Sequence, residues 1–133
     1  MPGFEFPRCS RLLNAGDYRT VFNGAKIKVS DRNLLILATP NQLSHPRVGL
    51  VIAKKNIRLA VQRNRVKRII RQSFRLQSPA LPHLDIVVLA RKGLGDLDNP
   101  ALHQLIEQSW RRLEKYTRKY EQSQAARNKV TAD

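Results

Sequence analysis

The sequence predicts a two-layer α/β (α+β) sandwich in which helices pack on a small sheet. Three apolar runs have the length and composition of strands, at Asn33–Thr39, Arg47–Ala53 and Asp85–Ala90. Two longer segments, Ala60–Leu76 and the one that begins at Asn99, repeat apolar residues at helical spacing. The chain has 133 residues, which suits one domain with a modest core.

The first elements follow an N-terminal arm, Met1–Arg11, that contains two prolines and a glycine. Asn14–Asn23 is predicted to be a short helix with Asn14 as its N-cap, and Gly24 is predicted to end it in a left-handed conformation. Because Pro40–Pro46 is a short polar loop, the strands on its two sides are predicted to form an antiparallel pair.

The second half of the chain contains the long helix Ala60–Leu76, which the prolines of Ser78–Pro82 are predicted to end. Asn99 is predicted to be the N-cap of the last helix, with Pro100 in its first turn. From about Glu121 the chain is polar and is predicted to fray. The predicted organisation is an arm at 1–11, one domain at 12–120 and a polar tail at 121–133.

The charge balance predicts a polyanionic partner. The chain has 25 Lys and Arg against 10 Asp and Glu, a formal net charge of +15. A field of this sign attracts nucleic acid before any other common ligand. No acidic residue lies between Asp31 and Asp85, and the basic residues there alternate with Val, Leu and Ile at regular spacing. The pattern favours a folded basic face over a disordered basic tail.

The long helix separates its cations from its apolar residues. Arg63, Lys67, Arg71 and Arg75 follow one another four residues apart, with Asn64 and Arg68 beside them. The opposite arc holds Val66, Ile69, Ile70, Ser73 and Phe74, and Arg65 lies at its boundary. Like charges four residues apart each destabilise a helix by about 0.2–0.5 kcal/mol. An anionic partner explains this cost, since guanidinium groups suit phosphate and Asn64 can bond a base or a 2′-hydroxyl. The alternative is a solvated basic face without a specific ligand.

Two aromatic residues of the first helix, Tyr18 and Phe22, lie on the same side. They are explained either by packing in the core or by a stacking surface for unpaired bases. Lys54 and Lys55, which follow the second apolar strand, would supply charge for the backbone of the same nucleic-acid strand.

No side-chain catalytic centre or metal site is predicted. His45, His83 and His103 are far apart in the sequence, and Asp96 and Asp98 are best explained as turn and cap residues. The sequence has no HExxH, Walker or Gly-x-Ser-x-Gly motif.

The cellular compartment is predicted to be the cytoplasm. Cys9 is the only cysteine, so an intramolecular disulfide is excluded, as suits a reducing compartment. No apolar run approaches the roughly 18 residues that a membrane span needs, and the N-terminus lacks a secretory signal pattern.

The long helix and its flanks resemble a known family. Arg63-Asn64-Arg65-Val66-Lys67-Arg68, followed by Ile69–Phe74, looks like the RNR motif of the bacterial ribonuclease P protein. Arg47–Lys55 is similar to the strand and lysine pair that precede this motif, and Asp85–Lys92 to the later strand. The resemblance covers roughly residues 11 to 119.

This resemblance implies an accessory subunit of an RNA enzyme that removes the 5′ leader from precursor tRNA. The catalyst would be ribonuclease P RNA with Mg²⁺ held mainly by that RNA, and one protein would serve each RNA. The small sheet would be mixed, with a left-handed crossover around the basic helix. Residues carried over as contacts to the catalytic RNA are Arg63, Asn64, Arg65, Lys67, Arg68, Arg71 and Arg75. Residues carried over as contacts to the leader are Tyr18, Phe22, Lys54 and Lys55.

Two other functions are compatible with the residues alone. One is a non-enzymatic basic RNA-binding or ribosomal protein, which composition does not exclude. The other is a DNA-binding domain with Ala60–Leu76 as its recognition helix. The second is weaker, because a strand and a lysine-rich linker, rather than a partner helix, precede that segment.

Overall fold

The structure, a computed structural model, describes residues 14–132, with side chains to residue 126. The predicted N-terminal arm and Cys9 lie outside the described residues. In chain order the elements are α1 (Ala15–Gly24), β1 (Ile27–Ser30), β2 (Leu34–Pro40), β3 (Arg47–Val51), α2 (Ala60–Gln77), β4 (Leu84–Ala90), a 3-10 turn (Leu94–Asp96) and α3 (Asn99–Ala132). The predicted α/β sandwich with a small mixed sheet is confirmed.

The four strands lie in the order β1-β2-β4-β3, and one predicted pairing is wrong. β4 lies between β2 and β3, antiparallel to β2 and parallel to β3. The loop after β2 passes the start of β4, where the amide of Asn41 donates to the carbonyl of His83 at 3.2 Å. β4 is almost entirely apolar, which suits a strand that is covered on both faces, and almost all of its residues are buried. The short strand β1, which carries two polar residues in four, was not predicted.

The face of the sheet that carries Ile36, Ile86 and Val88 packs against α2 and α3 in the main core. The two helices lie side by side, with the Phe74 and Trp110 rings edge to face at 5.9 Å between centroids. The buried Trp110 indole N–H donates to Ser73 Oγ at 2.9 Å, so its polar group is satisfied inside the core. α2 is the crossover between the parallel strands β3 and β4, and the left-handed sense of this connection stays a prediction.

The opposite face of the sheet is covered in part by α1. Val21 of α1 is fully buried against Val87 of β4, with Tyr18, Leu37 and Val51 packed around them. α1 therefore lies across the middle of the sheet, and part of this face stays open beside it.

Of the three cap residues predicted for α1 and α3, one agrees with the structure and two differ. Asn14 caps α1 in a reciprocal capping box with Asp17, as predicted. Gly24 was predicted to be left-handed, but it lies within α1, and Ala25 leaves the helix with φ −59° and ψ 123°. Asp98, not Asn99, caps α3, because its carboxylate accepts the Ala101 N–H at 2.9 Å.

α3 continues through the segment that was predicted to fray. Its 34 residues make a helix about 51 Å long. Among the side chains of α3 described to residue 126, the last one packed against the core is Tyr120. The predicted limits of the domain and tail stay a prediction. Along the described residues, none of the helices has the length and hydropathy needed to cross a membrane.

Candidate nucleic-acid interface

The outer face of α2 carries exposed cations, as predicted. The term outer face of α2 refers here to four exposed residues, Asn64, Arg68, Arg71 and Gln72. The inner residues Val66, Ile70 and Phe74 are almost completely buried. Among the side chains of residues 14–126, none forms a hydrogen bond or ion pair with Arg68 or Arg71. Their guanidinium groups are available to an external ligand.

Arg63 and Arg65 differ from the other cations of α2, because they bond to the protein itself. Arg63 Nη1 donates to the carbonyls of Ile57 at 3.0 Å and Arg58 at 2.7 Å. Arg65 donates to the carbonyls of Gly95 and Leu97 and to the side chains of Gln62 and Asn99, at 2.6–3.0 Å. The two arginines therefore fix to α2 the segment before this helix and the segment before α3.

Lys67 and Arg75 are partly buried. The predicted ladder of cations therefore does not form one exposed line. It begins at the partly buried Arg63 and reaches the outer face at Arg71, because residues four positions apart on a straight helix drift around its axis.

A groove of about 600 Å³ lies where β3 and β4 end, and Lys55 lines it. Arg58 of the same linker and Lys92, which follows β4, line it as well. Asn56 fixes the linker by donating to the Ala90 carbonyl at 2.9 Å. Lys54 is exposed in the same linker. The arrangement gathers cations from two loops at one edge of the sheet.

Tyr18 and Phe22 line a second groove, of about 560 Å³, between α1 and β3. Phe22 is 44% exposed, while Tyr18 lies half-buried over Gly49. A Cβ atom at Gly49 would come within 2.6 Å of the Tyr18 ring. Glycine at this strand position thus makes room for the ring. The sequence offered packing or base stacking as explanations for these aromatics. Tyr18 packs against the sheet and is also partly exposed, whereas the side chain of Phe22 is exposed to solvent.

An ion-pair network holds α1 against the sheet beside this groove. Arg47 of β3 bonds both carboxylate oxygens of Asp85 in β4, at 2.8 and 2.6 Å. The same guanidinium lies 3.7 Å from Asp17 in α1, next to Tyr18 in the chain. Burial would raise the pKa of Asp85, but hydrogen bonds from Arg47 and from Asn41 outweigh it and hold that pKa below its ordinary value.

The described residues gather no metal-binding cluster. Along residues 14–132, no group of three or more His, Cys, Asp and Glu side chains lies together in a position to hold a metal ion. The prediction that Asp98 serves as a cap residue is confirmed.

Three residues of these grooves were not predicted. Arg58 and Lys92 join Lys55 only because β3 and β4 are parallel neighbours, so that their carboxyl ends meet. The predicted pairing of β3 with β2 concealed this. The signal for Gly49 was present, since a single glycine inside a strand indicates a close approach of another group.

Comparison with known proteins gives a consistent result. A family model described as Ribonuclease P matches residues 6–114. A protein named Ribonuclease P protein component from Chromohalobacter salexigens is 59% identical over 114 residues, which cover 86% of this chain and 89% of the relative. The protein of the same name from Marinobacter nauticus is 53% identical over 123 residues, covering 92% of this chain and 90% of the relative.

Two solved structures share the fold. The RNase P protein from Thermotoga maritima is 28% identical, with a TM-score of 0.68, and the match covers 78% of this chain and 97% of that one. The RNase P protein from Staphylococcus aureus is 24% identical, with a TM-score of 0.74 and coverage of 80% and 97%. The likeness extends over most of the folded chain.

We predict that Asp85→Asn lowers the free energy of unfolding by about 2–3 kcal/mol at pH 7, because the partly buried Arg47 then loses its bidentate partner and keeps only the more distant Asp17 carboxylate. The lowered folded-state pKa of Asp85 stabilises the fold above the unfolded-state pKa, about 3.9. This stabilisation is lost as pH falls through the folded-state value. Urea unfolding at pH 7 and at lower pH should therefore show the two proteins converging on acidification.

The matched control is Asp96→Asn, which removes an exposed carboxylate and should change stability by less than about 0.5 kcal/mol. A constant difference between wild type and Asp85→Asn from pH 7 into the acid range would contradict the assigned role of the Arg47–Asp85 pair.

Proposed function

The chain belongs to the ribonuclease P protein family, whose members are subunits of a tRNA-processing ribonucleoprotein, and we propose that it binds the catalytic RNA and the 5′ leader of precursor tRNA. The two ligands would occupy different surfaces. The catalytic RNA would contact α2, and the single-stranded leader would lie in the groove between α1 and β3.

The observation that carries the proposal is the state of Arg68 and Arg71 on the outer face of α2. Both are exposed, and neither has a partner among the described side chains. Their orientation toward solvent is fixed by the burial of the opposite side of the helix. Phosphates satisfy such guanidinium groups with charge-assisted, often bidentate hydrogen bonds, and Asn64 on the same face can bond a base or a 2′-hydroxyl.

Arg63 and Arg65 take a different part in this proposal. Because their guanidinium groups already donate to protein oxygens, we assign contacts with the catalytic RNA first to Asn64, Arg68 and Arg71. Lys67 and Arg75, which are partly buried, would contribute charge beside these residues.

The leader is assigned to the groove of Tyr18 and Phe22 because an open aromatic face stacks on unpaired bases of any sequence. Phe22 is 44% exposed, so a base can reach its ring. Lys54 and Lys55 follow β3, the strand that forms one wall of this groove, and would neutralise phosphates of the same strand. A leader that leaves this groove would next meet the cations at the ends of β3 and β4.

Cleavage itself is assigned to the RNA partner. The protein would act as an accessory subunit that raises substrate affinity, while the required Mg²⁺ is held mainly by the RNA. The complex would contain one protein for each catalytic RNA and would work in the cytoplasm.

We predict that the protein alone does not cleave precursor tRNA, and that it raises cleavage by ribonuclease P RNA at low salt and low Mg²⁺. The reason is that its cations offset phosphate repulsion between RNA and substrate when counterions are scarce. A single-turnover cleavage assay with and without protein measures the effect. Absence of stimulation would reject the proposed function, and cleavage by the protein alone would reject the assignment of catalysis to the RNA.

We predict that Phe22→Ala weakens binding of precursor tRNA to the reconstituted complex by about tenfold, which corresponds to one stacked base, and leaves mature tRNA unaffected. Phe22 is 44% exposed, so its removal should cost little stability. Leu43→Ala is the matched control, since Leu43 is an apolar side chain 40% exposed in a loop. Equal losses for precursor and mature tRNA would show that Phe22 is structural.

A further inference from the structure

α3 carries a row of cations that the proposed contacts of α2 do not include. Arg111, Lys115 and Lys119 follow one another four residues apart, and all three are exposed. Successive members are separated by about 6 Å along the helix axis. We call these three residues the α3 row.

The neighbours of α3 show which way the row faces. On one flank Arg112 donates to the Ser30 carbonyl of β1 at 3.2 Å. On the other flank Glu114 and Glu121 line a recess with Ala80–Pro82, the segment that follows α2. The row lies between these flanks and opposite the buried residues Trp110 and Leu113. It therefore points away from the sheet, on the outer surface of the helix layer.

The cations of the row have no ion-pair partner among the described side chains. Within residues 14–126, no carboxylate pairs with Arg111, Lys115 or Lys119. The ion pair recorded along this part of α3 joins Arg118 to Glu114 at 3.9 Å. Two like-charge steps in the row each destabilise the helix by roughly 0.2–0.5 kcal/mol. Like the outer face of α2, the row presents exposed cations to solvent, but on α3 they form one continuous line.

We propose that the α3 row binds phosphates of ribonuclease P RNA, at a contact separate from that of α2. This inference rests on the proposed function, because it adds a second contact with the same partner. Exposed Gln104 and Gln108 continue the row toward the start of the helix. A polar, cationic surface of this kind suits phosphate and sugar contacts, whereas a protein partner would require an apolar centre to desolvate.

The two contacts are separate because acidic residues lie between them. Glu107 and Glu114 are seven residues apart and share the flank of α3 that faces α2. Arg118 lies on the same flank and pairs with Glu114. With Glu121 the carboxylates there still outnumber it, so their net negative charge repels a phosphate backbone that crosses directly from one helix to the other. The RNA would therefore approach the protein with two segments, one on each row of cations.

The test measures the salt dependence of binding to ribonuclease P RNA without substrate. Each phosphate contact that is lost lowers the slope of log affinity against log salt by about 0.7–0.9. We expect the variant Arg111→Gln/Lys115→Gln/Lys119→Gln to lower the slope by about two to three and the affinity by at least tenfold at about 0.1 M salt. Circular dichroism and urea unfolding check that the fold is retained, as expected for three exposed side chains.

A charge-matched control is Lys26→Gln/Lys28→Gln/Arg32→Gln, which removes three exposed cations at β1. Its slope should change by less than about one. Arg68→Ala, measured in parallel, should lower the slope by about one. An unchanged slope for the α3 variant beside a lowered slope for Arg68→Ala overturns the α3 contact alone, and leaves water or an acidic protein to that face. Equal effects of the α3 variant and the control also overturn it. If Arg68→Ala leaves the slope unchanged as well, the proposed function itself fails.

Discussion

The burial of one side of α2 determines where the cations of this protein lie. Val66, Ile70 and Phe74 are almost completely removed from water, and each buried side chain of this size stabilises the fold by about 1.5–3 kcal/mol. The like-charge repulsion on the opposite side is about 0.2–0.5 kcal/mol for each pair. Burial is the larger effect, so it sets the rotation of the helix. Arg68 and Arg71 are consequently held toward solvent in the folded protein before any ligand binds.

The same helix uses chemically identical side chains for two purposes. Arg63 and Arg65 donate to carbonyl oxygens of the segments before α2 and before α3, which fixes those loops to the helix. Arg68, one turn later, has no such acceptor among the described residues. The difference follows from position on the helix surface and not from residue type. An interface assigned by counting arginines would therefore overestimate the contacts available to RNA.

The sequence was sufficient for the local structure and insufficient for the strand order. Apolar runs predicted β2, β3 and β4, and apolar residues at helical spacing predicted α2, each to within two residues at each end. The order of the strands depends on which strand can be buried on both faces. The loop after β2 passes the start of β4, so β2 and β3 are neighbours in the chain but not in the sheet.

The site was predictable to the same extent. Residues on a single helix, such as Arg68 and Arg71 or Tyr18 and Phe22, followed from spacing alone. Residues that meet only through the sheet, such as Lys55 with Lys92 or Arg47 with Asp17, required the parallel pairing of β3 with β4. The engagement of Arg65 was equally hidden, because three of its four acceptors lie 30 or more positions away.

The most direct test is the reactivity of individual arginines toward an arginine-selective reagent, quantified by mass spectrometry with and without ribonuclease P RNA. The two-sided helix predicts that Arg68 and Arg71 react in the free protein and are protected by the RNA. Arg65 should react weakly in both states, because its guanidinium donates to four oxygen atoms of the protein. Unchanged reactivity of Arg68 and Arg71 on addition of the RNA would contradict the account.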